Sequence, residues 1–312
     1  MNLREIAGSA CRCIYKQELL KIHAILFPTG LPLSEDRIFN LKSMGNSEKF
    51  YYLKKAYYNR YVRTGSAVNK YYPNLLEIAN QYRKEVLNAV ERFWNTDKAY
   101  RQAYNQQFLG TYMSVVYNLH NVDCPLKMGE KRIELKELVS DQNLIETLEE
   151  CDVLDWKSKL LECKQVSVLL ILGKLYQLKQ KKMGARKKCV RLAWLCQYIT
   201  VKNIKRSDGQ YLNQTYTDFE FIIINDGSQD KTKDIIFSYN DCRIIYLENE
   251  VNQGIVMTLN RGIDASKGKY IARFDADDIA VATRLEKQVL YMDSHEEVCV
   301  LGTGIKYLER ML

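Results

Sequence analysis

Two stretches in the second half of the chain decide the fold: Phe219-Glu-Phe-Ile-Ile-Ile-Asn-Asp-Gly-Ser228 and Lys269-Tyr-Ile-Ala-Arg-Phe-Asp-Ala-Asp-Asp278. Each begins with β-branched and aromatic residues and runs directly into acidic ones, which predicts a strand with carboxylates at its carboxyl end. The periodicity between them predicts helices over 230–239 and 254–266 and a strand over 243–247. Strands that alternate with helices predict an α/β domain with a parallel, doubly wound sheet.

Ligands of such sheets bind beyond the carboxyl ends of the strands. Asp275 and Asp277 follow one strand, and their oxygens suit Mg²⁺ or Mn²⁺, which would bridge to a diphosphate. A solvent-exposed acidic turn is the alternative. Asp226 follows the other strand, and Gly227 beside it permits close approach of the backbone. We therefore predict a ligand-binding role for Asp226 and interpret Ser228 as a cap of the next helix.

The second half contains further motifs in a fixed order: Asn213-Gln-Thr-Tyr-Thr-Asp-Phe-Glu, Asn252-Gln-Gly, Asn260-Arg-Gly-Ile and Arg284-Leu-Glu-Lys-Gln. With the two stretches above, they resemble the nucleotide-binding half of the family 2 glycosyltransferases. The resemblance implies a GT-A fold and inverting transfer of a sugar from a nucleotide-diphosphate sugar to a hydroxyl of a saccharide or lipid-linked acceptor, in cell-surface polysaccharide synthesis. It also implies that Asp226 and Gly227 bind the nucleotide, Asp275 the ribose or the metal, and Asp277 the metal.

The first half resembles the acceptor-side end of the same family. The motifs are Tyr15-Lys-Gln-Glu-Leu-Leu, Phe27-Pro-Thr-Gly, Leu33-Ser-Glu-Asp-Arg-Ile-Phe-Asn and Tyr57-Tyr-Asn-Arg-Tyr-Val-Arg-Thr-Gly-Ser. By resemblance, Asp36 is the general base that deprotonates the acceptor hydroxyl. The alternative is an exposed acidic pair, Glu35-Asp36, that opens a helix.

The order of the two halves is reversed relative to the family. The chain is either a circular permutant or the end of one glycosyltransferase joined to the start of another. If two enzymes were joined, their facing surfaces were not selected to pack in one chain. We therefore expect Asp36 to lie well away from Asp277, and we keep a catalytically inactive remnant that at most binds nucleotide as the alternative function.

The junction between the halves does not show the family pattern. The family's first strand should lie before Asn213, but 193–205 reads differently. The missing motif can be recovered in a shifted reading frame, in which each codon's third base is joined to the first two bases of the next codon. In that frame, allowed codons for 195–204 can spell Met-Pro-Val-Tyr-Asn-Gly-Glu-Lys-Tyr. We predict a mostly helical region over 1–182, a basic, frame-shifted junction over 183–212 with the frame restored near Tyr211, and a nucleotide-sugar-binding GT-A half domain over 213–312.

Composition bounds the remaining classes. The 46% hydrophobic residues rule out a disordered chain, and the longest apolar run, 166–173, is too short to span a bilayer. We expect a cytoplasmic chain, with reduced, non-ligating thiols among its nine cysteines. The net charge of +8 and the basic run 179–188 leave open peripheral contact with the inner membrane face, but no nucleic-acid-binding motif is present. Tyrosines clustered over 51–72 would pack a core or stack on sugars.

Overall fold

The computed structural model describes residues 8–61, 70–94, 98–184, 211–275 and 278–308. Two compact units divide the chain: the first combines Met1–Val62 with Ala193–Leu312, and the second is Arg63–Leu192. We expected 1–182 to form one helical region. In the structure, the described residues of 8–61 instead pack with those of 211–308, and helices fill the second unit.

The first unit is an α/β structure whose strands form two sheets. Its strands are β1 (Cys13–Lys16), β2 (Lys49–Tyr61), β3 (Phe221–Asp226), β4 (Ile244–Asn249), β5 (Tyr270–Ala272), β6 (Ile279–Ala280) and β7 (Val298–Leu308). Its α-helices are α1 (Gln17–Ile22), α2 (Glu35–Gly45), α9 (Thr232–Ser238), α10 (Ile255–Ala265) and α11 (Arg284–Ser294). One sheet is a parallel pair, β3 and β4, and the other has five strands in the order β5-β1-β7-β2-β6.

The five-stranded sheet differs from the single parallel sheet that the sequence predicts. The strands near 221, 244 and 270 form as expected, but β5 pairs with β1 rather than with β3 or β4. β1 lies antiparallel to both β5 and β7, and β2 lies parallel to β7. Strands from the start of the chain therefore supply ladder partners that the alternation of strands and helices near its end could not reveal.

Residues 8–61 are also less helical than predicted, because β2 runs through the tyrosine cluster. Aromatic residues suit the half-buried surface of a strand. Tyr57 and Tyr58 are buried in the core, whereas Tyr51 is 48% exposed and stacks on Tyr291. Core packing thus accounts for the two buried tyrosines.

The motif Arg284-Leu-Glu-Lys-Gln ties three strands of this sheet together. Arg284 is fully buried, and its guanidinium donates to Gln288 and lies 3.4 Å from the carbonyl oxygens of Arg273 and Cys13. Gln288 donates to the carbonyls of Arg12 and Leu301. This motif therefore has a structural role: it satisfies buried carbonyl groups beside the predicted site.

The described residues of the second unit are mostly helical. Its helices are α3 (Leu75–Phe93), α4 (Lys98–Asn118), α5 (Met128–Leu138), α6 (Gln142–Glu149), α7 (Trp156–Glu162) and α8 (Val166–Gly184). α4 packs against α3, α6 and α8, and α8 also contacts α5 and α7. The helical periodicity over 135–163 resolves into separate helices, because Asp141 and Asp155 accept backbone N–H groups and cap α6 and α7. Within the described residues, no helix is both long and apolar enough to cross a membrane.

Candidate active site

Asp226 ends β3 and holds the loop that leads into α10. Its carboxylate accepts the side-chain amide of Asn249 at 2.8 Å and the backbone N–H groups of Gln253 and Gly254 at 2.8 and 3.0 Å. The side chain is only 2% exposed. The three hydrogen-bond donors explain how a carboxylate can be buried at this position. Asp226 therefore fixes the loop before α10, in addition to the nucleotide-binding role that the sequence predicts for it.

Gly227 lies where two backbone segments approach each other closely. Its φ is +76°, and a Cβ there would come within 2.8 Å of the Asn252 backbone nitrogen. Both observations require glycine. Gly227 and Asp226 thus fix the loop over 249–254 against the end of β3.

Asp275 is held through its backbone by two tyrosines from different parts of the chain. Its N–H donates to the hydroxyl of Tyr58, 3.0 Å away, and its carbonyl accepts the hydroxyl of Tyr211 at 2.8 Å. Tyr211 also donates to the carbonyl of Asp278. The backbone on both sides of the predicted metal motif is therefore fixed, and Tyr58 comes from β2 in the N-terminal segment.

Arg273 joins the acidic pair of the N-terminal segment to the metal motif of the C-terminal segment. Its guanidinium forms an ion pair with Asp36 and lies 3.1 Å from a carboxylate oxygen of Asp275. Only 5% of the Arg273 side chain is exposed, against 16% for Asp36 and 19% for Asp275. A buried guanidinium needs such partners, so the two carboxylates and the arginine form one polar cluster.

Asp36 lies in the first turn of α2 and has partners for both oxygens. Besides the Arg273 pair, its carboxylate accepts the backbone N–H of Ala10 at 3.1 Å and lies 3.4 Å from the hydroxyl of Ser9. Our expectation that the surfaces of the two halves do not pack is wrong, because Asp36 and Asp275 share a partner. Asp277 lies outside the described residues, so the predicted separation of Asp36 from Asp277 stays a prediction.

Glu35 stands beside this cluster. Burial raises the pKa of its carboxyl group and the Asp275 carboxylate adds to the shift, while Arg273 and Arg60 oppose it. Burial likewise raises the pKa of the Cys11 thiol, which neighbours Arg273 and Asp275. The Cys11 thiol therefore stays protonated at neutral pH and adds no charge to the cluster.

A second buried contact joins the two segments. The side chain of Asn260 accepts the N–H of Phe27 at 2.8 Å and donates to its carbonyl at 3.0 Å. Both residues come from motifs that the sequence singled out, one from each half. A side-chain amide that satisfies both backbone polar groups of one buried residue is a specific contact.

The described residues contain one of the two predicted metal ligands. Asp275 offers carboxylate oxygens, but Arg273 lies against one of them, and Asp277 is outside the described residues. Within the part of the chain that is described, no group of three or more His, Cys, Asp or Glu side chains could hold a metal ion. The Mg²⁺ or Mn²⁺ site remains a prediction that requires Asp277.

Sequence reasoning gave Arg273, Tyr58 and Tyr211 no role at the metal motif. Arg273 stands in the quoted stretch before Asp275 and directly follows β5, and a charged residue beside a hydrophobic strand was the available signal, because it needs partners there. The distant segment that supplies those partners is not visible in the local sequence. The junction stretch over 193–205 lies outside the described residues, so the frame-slip hypothesis also stays a prediction.

Comparison with known proteins finds similarity in the C-terminal segment. Residues 198–310 match the model of glycosyl transferase family 2. An uncharacterized glycosyltransferase of Haemophilus influenzae is 39% identical over 117 residues, which are 37% of this chain and 35% of that protein. An uncharacterized glycosyltransferase of Methanocaldococcus jannaschii is 40% identical over 111 residues, 35% of this chain and 38% of that protein.

A third relative has a more specific name. The UDP-Glc:alpha-D-GlcNAc-diphosphoundecaprenol beta-1,3-glucosyltransferase WfaP of Escherichia coli is 39% identical over 85 residues, 27% of this chain and 34% of that protein. The chain thus spans little more than a third of the length of these relatives. No solved structure is significantly similar to it. The family match covers both strands that precede the acidic motifs, so residues 198–310 are similar to glycosyl transferase family 2.

Proposed function

We propose that the first unit is a glycosyltransferase that uses a nucleotide-diphosphate sugar and is assembled from both ends of the chain. The observation that supports this most directly is Arg273, which pairs with Asp36 from one end and Asp275 from the other. The residues that resemble the donor side and the acceptor side of the family thus share one cluster. The reversed order of the halves does not prevent them from forming a common site.

In this proposal the chain's own residues bind and orient the two substrates. Asp226 and Gly227 fix the loop at the end of β3 against which the nucleotide binds. Asp275 and Asp277 would hold Mg²⁺ or Mn²⁺, which neutralises the diphosphate leaving group. Arg273 orients Asp36 so that its carboxylate can accept the proton of the acceptor hydroxyl as the oxygen attacks the anomeric carbon. The reaction inverts the configuration at that carbon.

The names of the relatives support a proposal for the acceptor class. WfaP is named as an enzyme that acts on a sugar attached to diphosphoundecaprenol. We therefore propose a saccharide or lipid-linked acceptor and a role in polysaccharide synthesis.

One observation favours the inactive remnant. Both oxygens of Asp36 already have partners, Arg273 on one side and the Ala10 N–H on the other. An acceptor hydroxyl could reach only the carboxylate lone pairs that these partners leave. A chain that binds nucleotide but does not turn over would retain the cluster without using it.

The experiment is calorimetric titration with UDP and Mn²⁺, followed by an assay of UDP release from UDP-sugars. Asp277→Ala should abolish Mn²⁺-dependent binding, and Asp36→Asn should leave binding intact but lower turnover by roughly 10²–10⁴-fold, the usual contribution of a general base. Asp264→Ala, an exposed carboxylate on α10, is the control and should change neither. Equal affinity of wild type and Asp277→Ala would refute the metal assignment, and binding without any turnover would support the remnant.

A further inference from the structure

The last helix of the second unit has an exposed apolar stripe. The stripe consists of Val168, Ile171, Leu175 and Leu178, whose exposed fractions are 41%, 61%, 58% and 46%. Their spacing of three, four and three residues places them on one face of α8. Exposed single apolar residues are ordinary, but several apolar residues exposed along one helix face are typical of an interaction site.

The stripe is additional to the face that α8 buries. Leu169 is fully buried, and Tyr176 stacks on Tyr117 of α4 with ring centroids 4.2 Å apart. α8 also contacts α5 and α7. The helix is therefore held in place by one side, and the stripe is not needed for packing within the described part of this unit.

The charge pattern of α8 is one-sided. The helix contains lysines at 174, 179, 181 and 182 and no aspartate or glutamate. Lys174 and Lys179 are exposed, and at 100° per residue they fall on opposite borders of the apolar stripe. An apolar face bordered by lysine is the pattern of helices that lie in the interface of an anionic membrane, where the lysines contact lipid phosphates.

We propose that α8 docks on an anionic membrane surface through this stripe, with the lysines contacting the lipid headgroups. The alternative is a dimer in which two copies of the chain bury the same stripe against each other. Lysines border the stripe and the helix has no acidic residue, so repulsion between like charges disfavours that dimer. The inference concerns the second unit and does not depend on the transferase activity proposed for the first.

Co-sedimentation of the full-length chain with vesicles tests the proposal. Vesicles that contain phosphatidylglycerol should bind the chain at least about tenfold more strongly than pure phosphatidylcholine vesicles, and added salt should weaken the binding. The double variant Ile171→Ser with Leu175→Ser, and separately Lys174→Glu with Lys179→Glu, should each lower the partition coefficient by at least about tenfold.

The control replaces an apolar residue that is equally exposed but lies in the first unit. Phe237→Ser, at a position 62% exposed, should leave vesicle binding unchanged. Circular dichroism of each variant checks that the helices persist. Equal binding to both vesicle types, or no binding to either, overturns the proposal. A dimer in light scattering that dissociates in the Ile171→Ser and Leu175→Ser variant, without vesicle binding, would assign the stripe to self-association instead.

Discussion

Replacement of Arg273 by Met should loosen the contact between the two ends of the chain. The arginine is 5% exposed and its two carboxylate partners are less than a fifth exposed, so solvent screens the pairs only in part. Removing one partner of a buried ion pair costs about 3–5 kcal/mol, and partial exposure reduces the expected cost here to about 2–4 kcal/mol. The variant leaves Asp36 and Asp275 close together without their shared cation.

A double-mutant cycle isolates the contact itself. Combining Arg273→Met with Asp36→Asn should give a coupling free energy of about 1.5–3 kcal/mol, the range for hydrogen bonds to charged groups. The fluorescence of the described tryptophans, Trp94 and Trp156, would report on the second unit, which contains both, and not on the first. Hydrogen exchange of the β1 and β5 amides measures the opening free energy locally.

The matched control cycle pairs Arg273→Met with Asp264→Asn, an exposed carboxylate on α10. Its coupling should stay below about 0.5 kcal/mol. A coupling equally small for the Asp36 cycle would refute the conclusion that Arg273 joins the two segments.

Three further predictions follow from single residues. Arg284→Leu leaves buried carbonyls without donors and should lower the unfolding free energy of the first unit by about 2–4 kcal/mol. Urea denaturation followed by hydrogen exchange measures this loss. The control Lys287→Leu, at an exposed position, should change the unfolding free energy by less than about 0.5 kcal/mol. Gly227→Ala should destabilise more than Gly254→Ala in thermal unfolding, because both have positive φ but only the first Cβ meets backbone atoms; equal losses would contradict the steric argument. Burial lowers the pKa of His120, so on acidification the imidazole is protonated in the unfolded chain before it is protonated in the folded one. The second unit should therefore lose stability as the pH falls through about 6.5, the ordinary pKa of histidine. A His120→Gln variant with the same pH dependence would contradict this.

Local sequence patterns predicted the elements of the C-terminal segment well but not their neighbours. The strands beginning at 221, 244 and 270 and the helices between them appear within a few residues of their predicted positions. The pairing of β5 with β1 could not be predicted, because it joins residues at opposite ends of the chain and leaves no periodic signal in either. The tyrosine-rich strand β2 was assigned to a helical region, since the helical periodicity of the residues that follow it dominated the interpretation.

The site was predicted in its parts but not in its assembly. Asp36 and Asp275 were both singled out, but Arg273, which unites them, was quoted only as part of a motif. The expectation that the halves stay apart assumed that surfaces from two enzymes would not match. The structure nevertheless brings residues from both quoted sets of motifs into contact, as in the pair Asn260 and Phe27.

The strand pairing itself gives the most direct test that one chain builds one site from its two ends. Lys16 and Tyr270 are opposite partners in the antiparallel pair of β1 and β5, where Cα atoms lie roughly 4.5–5.5 Å apart, within the range for a disulfide. Lys16→Cys with Tyr270→Cys should form an intramolecular disulfide on mild oxidation, identified by mass spectrometry of the linked peptides. The control variant, Lys16→Cys with Asp264→Cys, places its second cysteine on α10 and not on β5, and it should not form this disulfide. Absence of the first cross-link, or its formation only between two chains, would contradict the assembly of the site from both ends of one chain.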